Sequence, residues 1–326
     1  MPTSAKMRKV AATRVLMIAA LAVLAFQTAT AQNNIPRASA GAKAKTEGTA
    51  DAAAASGNTP EVAKTLQAAA EALGLARWSG VGGQHLPEVD VINTMEIWGS
   101  GTSYALPQSS KAGEPGPAFK TEYHVTLGYN PPAMRVEMTC TNRDAAGQGS
   151  GEPQHTIQVV REKYAWDESE IGAGLVPGKG TATPAMAGVN NRLLRLWILP
   201  YGVIKAALAA GDKTRISTEN GATVITFPLS GQLAGVIVKA TLNAQNMVAK
   251  VETRTDNPAH GGMFTETEYS DYADHGEILT DVKSPGHIVH KQGGHPVLDI
   301  QVKTLDANNP YLVFPVPENV KKAAAH

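Results

Sequence analysis

The chain has 326 residues, and its 29 basic and 29 acidic side chains give a formal net charge of zero. Residues 1–31 hold four basic residues and no acidic one, so the remainder has 25 basic against 29 acidic side chains, a net charge of −4. That sign gives no general attraction to nucleic acid or anionic lipid, and a single cysteine, Cys140, excludes an internal disulfide and a cysteine-based metal centre.

The first 31 residues have the pattern of a secretory signal peptide. A basic segment precedes an apolar run from Val15 to Phe26, whose 12 residues are too few to span a bilayer comfortably. Ala29-Thr30-Ala31 then fits an A-x-A site, which predicts cleavage after Ala31 and a periplasmic or secreted protein without a stable membrane span. The alternative is that the apolar run stays attached as an N-terminal membrane anchor.

The rest of the chain is predicted to form one domain between two flexible segments. Residues 32–60 contain almost no large apolar side chain, so burial cannot offset their ordering entropy and a disordered linker is expected. Residues 61–318 show no comparable interruption and predict a single β-rich domain. Residues 319–326 are expected to form a flexible C-terminal tail.

Two helices are predicted. The first begins at Thr59 and Pro60, a good cap followed by a good first-turn residue, and ends at Gly74. The second covers residues 191–210; its first part is apolar almost all round, and Pro200 interrupts it because proline lacks the amide donor that a helix needs.

Most of the remaining segments alternate between apolar and polar residues, as strands do. Hairpins are predicted for 122–129 with 134–141, for 216–229 around Asn220-Gly221, and for 236–242 with 247–255. Further predicted strands are 264–272, 278–283, 286–291 and 297–305. The fold class is therefore mainly β with few helices: a large curled antiparallel sheet, an open or half-open barrel, covered by the N-terminal helix and the proline-interrupted central helix. Three long loops, 105–120, 141–154 and 167–190, are expected to form a mobile rim.

The sequence lacks the common catalytic motifs. It contains no H-E-x-x-H, no P-loop and no G-x-S-x-G nucleophile elbow, and Cys140 alternates with Met138 and Val136 as a buried structural thiol would. No cofactor is predicted. The candidates for a metal site are His287, His290 and His295, although the odd spacing of the first two places them on opposite faces of a strand. Glu266 and Glu268 share a strand face, either as a catalytic carboxylate pair or, more simply, as a solvated outer face.

A curled sheet of this size tends to enclose volume that something must fill, which predicts an apolar pocket. The alternative is that the same side chains form an ordinary β core. The candidate ligand-binding residues are large side chains of the predicted strands and central helix: Trp98, Tyr123, Leu127, Met138, Trp166, Trp197 and Tyr201.

Several strings resemble a β-rich segment that precedes the metallo-β-lactamase-fold domain in secreted bacterial hydrolases. They are Tyr164 to Asp167, the WILPYG stretch from Trp197 to Gly202, Glu268 to Tyr272, Gly293 to Asp299, and Val313 to Pro317. The sequence shows no counterpart of that hydrolase domain or its zinc ligands, so the resemblance implies no activity. The layout is also similar to the outer-membrane lipoprotein-sorting (periplasmic lipoprotein carrier) fold, an open barrel with a helical lid over an apolar cavity.

Three functions follow as hypotheses. The first is a non-catalytic exported protein that binds an apolar or lipid-like ligand in the concave face of the sheet. The second is an accessory module that acts with a separate envelope hydrolase or another envelope protein. The third is a hydrolase that uses a metal or a His-Asp pair among His260 to His295.

Overall fold

A computed structural model describes residues 55–56, 60–81, 84–89, 92–106, 115–143, 149–255, 264–274 and 282–325. The predicted signal peptide and most of the predicted linker lie outside these residues, as do His260 and His275. The helices are α1 Pro60–Ala72, α2 Val189–Trp197, α3 Pro200–Ala210 and α4 Glu318–Ala323, with short 3₁₀ turns at Met186–Gly188, Gly211–Lys213 and Gly231–Leu233. The strands are β1 Ala55–Ser56, β2 Ala76–Val81, β3 Gln84–Val89, β4 Thr94–Tyr104, β5 Ala118–Tyr129, β6 Pro132–Arg143, β7 Gly149–Arg161, β8 Tyr164–Glu168, β9 Ala182–Pro184, β10 Arg215–Glu219, β11 Ala222–Pro228, β12 Val236–Leu242, β13 Val248–Thr255, β14 Thr265–Ser270, β15 Ala273–Asp274, β16 Lys283–Ser284, β17 His287–Gln292 and β18 His295–Ala307.

One large antiparallel sheet dominates the fold, in the order β1-β10-β11-β12-β13-β14-β17-β18-β4-β5-β6-β7-β8-β9. The edge strands β1 and β9 do not pair with each other, so the sheet is open and not a closed barrel. Two small antiparallel pairs, β2 with β3 and β15 with β16, stand beside it. The predicted mainly β class with a large open antiparallel sheet is confirmed.

The sheet curls around its own core. Val238 of β12 and Val136 of β6 belong to one buried apolar cluster although six strands separate β12 from β6 in the sheet order. We call the face that carries this cluster the inner face and the opposite one the outer face. The helices α1, α2 and α3 supply the rest of the cluster, because their apolar sides pack onto the inner face and one another.

The predicted hairpins form with the expected turns. Asn220 and Gly221 both have positive φ between β10 and β11, which is what a two-residue turn of this kind requires. The β5–β6 hairpin turns at Asn130-Pro131, and Tyr123, Val125 and Leu127 face Met138, Val136 and Met134 across it, all directed to the inner face.

The predicted linker, the predicted C-terminal tail and the three predicted loops differ from the sequence-based expectation. Ala55–Ser56 of the predicted linker pairs with β10, and the predicted C-terminal tail takes part in α4, where Val320 is fully buried. The predicted loops are shorter than expected: β5 begins within 105–120, β7 within 141–154, and 167–190 contains the end of β8, the whole of β9 and the start of α2.

A second, smaller apolar cluster lies on the outer face of strands β6 to β9. The chain after β18 covers it, since Phe314 and Val320 pack against Ile157, Val159 and Trp166. Arg161 donates a hydrogen bond to the carbonyl oxygen of Phe314 at 3.0 Å, which holds this covering segment on the sheet. One end of the outer face is therefore buried and not solvated.

Candidate functional site

The central helix bends sharply at its proline. Helices α2 and α3 meet at 96° across Ile198 and Leu199, and Pro200 occupies the first turn of α3, where its missing amide donor costs nothing. Gly202 allows the first turn of α3 to lie close against the end of α2, because a Cβ at this position would lie 2.5 Å from the carbonyl oxygen of Leu196. We call residues 189–210 the helical elbow. Among the described residues no single helix is long and apolar enough to cross a membrane, but the bent pair Met186–Trp197 and Pro200–Lys213, which contains the elbow, passes that test by length and composition.

A cavity of about 70 Å³ lies between the elbow and the inner face. Its lining is mostly apolar with a few polar groups and no carboxylate: Tyr123, Met134, Met138, Arg195, Ile198, Leu199, Thr267, Tyr269, Ile288, His290, Val297 and Leu298. Several of these, Leu199 and Leu298 among them, are only half-buried, so the cavity lies near the surface. Its volume is well below the roughly 300–1,000 Å³ of drug-sized ligand pockets.

The polar groups in this cavity come from three directions. Arg195 of α2 donates a hydrogen bond to Gln158 of β7 at 3.2 Å. The Nδ1 atom of His290 lies 2.7 Å from the Thr267 hydroxyl, and the Tyr269 hydroxyl donates to the carbonyl oxygen of Ile198 at 2.8 Å. The cavity therefore combines apolar walls with a small number of convergent polar groups, the usual composition of a binding site.

The electrostatics of the cavity follow from burial and from Arg195. Burial and the nearby guanidinium lower the pKa of His290 to about 4, so its imidazole is neutral near pH 7. Burial raises the pKa of the Tyr123 hydroxyl, which keeps it protonated, and the charge of Arg195 opposes that shift. Burial also lowers the pKa of Arg195, but a guanidinium remains charged in proteins. The cavity thus carries one positive charge.

The structure brings only part of the predicted ligand site together. Tyr123 and Met138 line the cavity. Leu127 lies deeper in the inner core, and Trp197 packs its ring 5.8 Å from that of Tyr129. Tyr201 is fully buried and donates to the carbonyl oxygen of Lys283 at 2.6 Å. The last three side chains support the elbow and the core without lining the cavity.

Trp98 and Trp166 lie on the other face, which corrects their assignment to the same pocket. Trp98 pairs with His124 across β4 and β5, and both point outward because their neighbours Ile97 and Val125 point inward. Trp166 is paired with Val159 in the smaller cluster of the outer face. Both tryptophans are separated from the cavity by the thickness of the sheet.

Among the lining residues that were not predicted as ligand contacts, four are polar: Arg195, Thr267, Tyr269 and, named only as a metal candidate, His290. Arg195 did carry a signal, since it interrupts an otherwise apolar helical run. A guanidinium among apolar neighbours is costly to bury and suggests a specific use.

The metal-site candidates do not converge. His287 points to the outer face and lies 2.7 Å from Asp299, His290 points to the inner face, and His295 begins β18. Within the described ranges no group of three or more His, Cys, Asp or Glu side chains is arranged to hold a metal ion. Glu266 and Glu268 lie on the outer face and pair with Lys291 at 2.9 and 2.7 Å, an ion-pair ladder.

The outer face carries a broad surface groove of about 670 Å³ over strands β18, β4, β5, β6 and β7. At its centre the rings of Trp98 and His124 stack at 4.9 Å with 8° between their planes. The two ring nitrogens of His124 lie 3.1 Å from Glu96 and 3.2 Å from Glu137. Only an imidazolium can donate to both carboxylates, and the hydrogen bond to Glu137 with the charge of both partners raises the pKa of His124.

This arrangement predicts a stability change on the alkaline side. The folded protein holds the His124 proton to higher pH than the unfolded chain, so the contribution is complete below pH 6.5 and is lost as pH rises through the raised pKa. Because the site is partly exposed, we expect a loss below about 1 kcal/mol. Urea unfolding across this range should show the loss in wild type and not in His124→Gln. Glu137→Gln should reduce it more than Glu96→Gln; the reverse order would contradict the assignment of the dominant partner.

A comparison of the chain with protein-family models and with curated proteins finds no match. The likeness to a hydrolase-associated segment and to the lipoprotein carrier fold therefore stays a prediction. What this chain does has to be argued from its own geometry, in which the cavity under the elbow combines apolar walls, a permanent cation and nearness to the surface.

Proposed function

We propose that this protein is an exported, non-catalytic binding protein that takes up an apolar or lipid-like ligand between the helical elbow and the inner face of the sheet. The observation that carries the proposal is the cavity of about 70 Å³ at this position, with apolar walls and a few polar groups at one place. Export is supported by the signal-peptide pattern of residues 1–31.

The cavity must widen to hold a ligand, and its lining favours this. Met134 and Met138 form part of the wall, and methionine side chains adapt easily because they are unbranched and flexible. The elbow has a two-residue joint, Ile198 and Leu199, which offers a place for α2 and α3 to move relative to each other. The Tyr269 hydroxyl bond to the Ile198 carbonyl would hold this joint in the closed arrangement.

A neutral fluorescent probe tests the proposal. N-phenyl-1-naphthylamine, which fluoresces strongly in apolar surroundings, should bind the purified protein saturably at neutral pH. Leu199→Trp places a larger side chain at the half-buried wall of the cavity and should weaken probe binding at least about tenfold.

Ile237→Trp is the matched control, because Ile237 is 42% exposed and lies between the inward-facing Val236 and Val238 on β12. The same substitution there should leave the probe affinity unchanged. Absence of saturable binding to wild type, or an equal loss in both variants, would refute binding at the elbow.

A further inference from the structure

We propose that the ligand is a single-chain amphiphile with a carboxylate head, and that Arg195 binds this carboxylate under the helical elbow. The inference rests on the proposed function and specifies the class of ligand for the same cavity. It is carried by the position of a guanidinium in an apolar cavity, by the charge of the lining and by the size of the space.

Arg195 is placed where an anionic head would meet it. It extends from α2 into the cavity, beside the apolar side chains of Ile198 and Leu298, and its hydrogen bond to Gln158 at 3.2 Å gives it a neutral partner. A carboxylate fits the planar fork of arginine with two parallel hydrogen bonds, so it is the anionic head for which a guanidinium in this lining is best shaped.

The charge of the lining selects a monoanion. Among the residues that line the cavity, Arg195 is the only arginine or lysine, and none is an aspartate or glutamate. His290 is neutral near pH 7 because burial and Arg195 lower its pKa to about 4. One negative charge therefore balances the lining, whereas a phosphate monoester would bring close to two. The protonated hydroxyl of Tyr123 offers a further donor at the same place.

The size of the cavity indicates which part of the ligand fits without rearrangement. A volume of about 70 Å³ is well below the roughly 300–1,000 Å³ of ligand pockets, so only a small part of an amphiphile, such as its head group, fits without rearrangement. The hydrocarbon chain must then enter between the elbow and the inner face, where Met134, Met138 and Leu199 would move aside. A single chain requires less displacement than two.

Competition against N-phenyl-1-naphthylamine tests the head group with three ligands that share one chain: oleate, oleyl alcohol and oleyl phosphate, each below its micelle-forming concentration. A hydrogen bond to a charged group predicts that oleate binds about 10-fold to 100-fold more tightly than oleyl alcohol. Arg195→Gln should remove this preference, and Arg195→Lys should restore part of it. Lys239→Gln removes a cation from the outer face and should leave the preference intact.

The outcomes separate the two proposals. If neither the probe nor any oleyl compound binds the wild-type protein, the proposed function fails. If the probe binds but oleate and oleyl alcohol compete equally, or if Arg195→Gln keeps the preference, the role of Arg195 is overturned while the proposed function stands. Tighter binding of oleyl phosphate than of oleate would overturn the assignment of a carboxylate head. Circular dichroism of each variant verifies that the sheet is retained, and Arg195→Lys keeps the test valid if Arg195→Gln does not fold.

Discussion

Replacing Trp166 by alanine is expected to lower the free energy of unfolding by about 3–5 kcal/mol, the usual cost of removing a large buried aromatic side chain. Trp166 is 0% exposed and packs with Val159 and Phe314 beneath the C-terminal segment. Its indole nitrogen donates a hydrogen bond to the buried Glu168 carboxylate at 2.8 Å. The substitution therefore opens a cavity and also removes a partner from a buried charge, and both effects destabilise.

Urea unfolding of two further variants, followed by far-ultraviolet circular dichroism, separates these effects and supplies a control. Trp166→Phe keeps most of the ring volume and loses the donor, so it should lie between wild type and Trp166→Ala. Tyr311→Ala is the control, since Tyr311 is 86% exposed on the same C-terminal segment and should change stability by less than about 0.5 kcal/mol. A Trp166→Ala protein as stable as wild type would show that this segment does not cover the outer face in solution.

Trp166 also shows what alternation along a strand can and cannot tell. The pattern indicates which residues share a face: in the predicted hairpin of 122–129 with 134–141, Tyr123, Val125 and Leu127 lie together on the inner face. It does not tell whether the other face is covered. The cover here comes from the segment around Phe314 and from α4, about 150 residues after Trp166 in the chain. No residue pattern within β8 predicts this cover.

The cavity was only partly predictable for a related reason. The break at Pro200 and the apolar character of the elbow are local properties, and both were predicted correctly. The meeting of Arg195 with His290 and Thr267 depends on the register of β14 against β17 and on how α2 lies across the sheet. Neither can be derived from the spacing of residues in the sequence, so the half-buried arginine was visible in the sequence but its neighbours in the cavity were not.

Acid is expected to destabilise the protein through His290. The unfolded chain binds this proton below pH 6.5, but burial and Arg195 lower the pKa of the folded group to about 4. Over that interval the unfolded state holds more protons, so the free energy of unfolding falls with pH. At 1.36 kcal/mol per pH unit, the loss due to His290 between pH 7 and pH 5 is about 2 kcal/mol.

The groups packed against His290 do not change the sign of its effect on the free energy of unfolding. Arg195 stays charged throughout, and Tyr123 and Tyr269 stay neutral because burial raises the pKa of both hydroxyls. His124, across the sheet, contributes with the opposite sign, since its raised pKa stabilises the folded protein as pH falls. The measurement is therefore the difference in the free energy of unfolding between wild type and His290→Gln, obtained from urea unfolding at about pH 7 and at about pH 5.

This difference should grow by about 2 kcal/mol in favour of His290→Gln on acidification, whatever the cost of that substitution at neutral pH. Thr267→Val is the matched control, because it removes the hydroxyl 2.7 Å from Nδ1 but keeps the imidazole in the cavity. It should retain the acid sensitivity of wild type. A constant difference between wild type and His290→Gln would mean that water or a counter-ion reaches the ring, and that the space under the elbow is not the apolar site on which ligand binding depends.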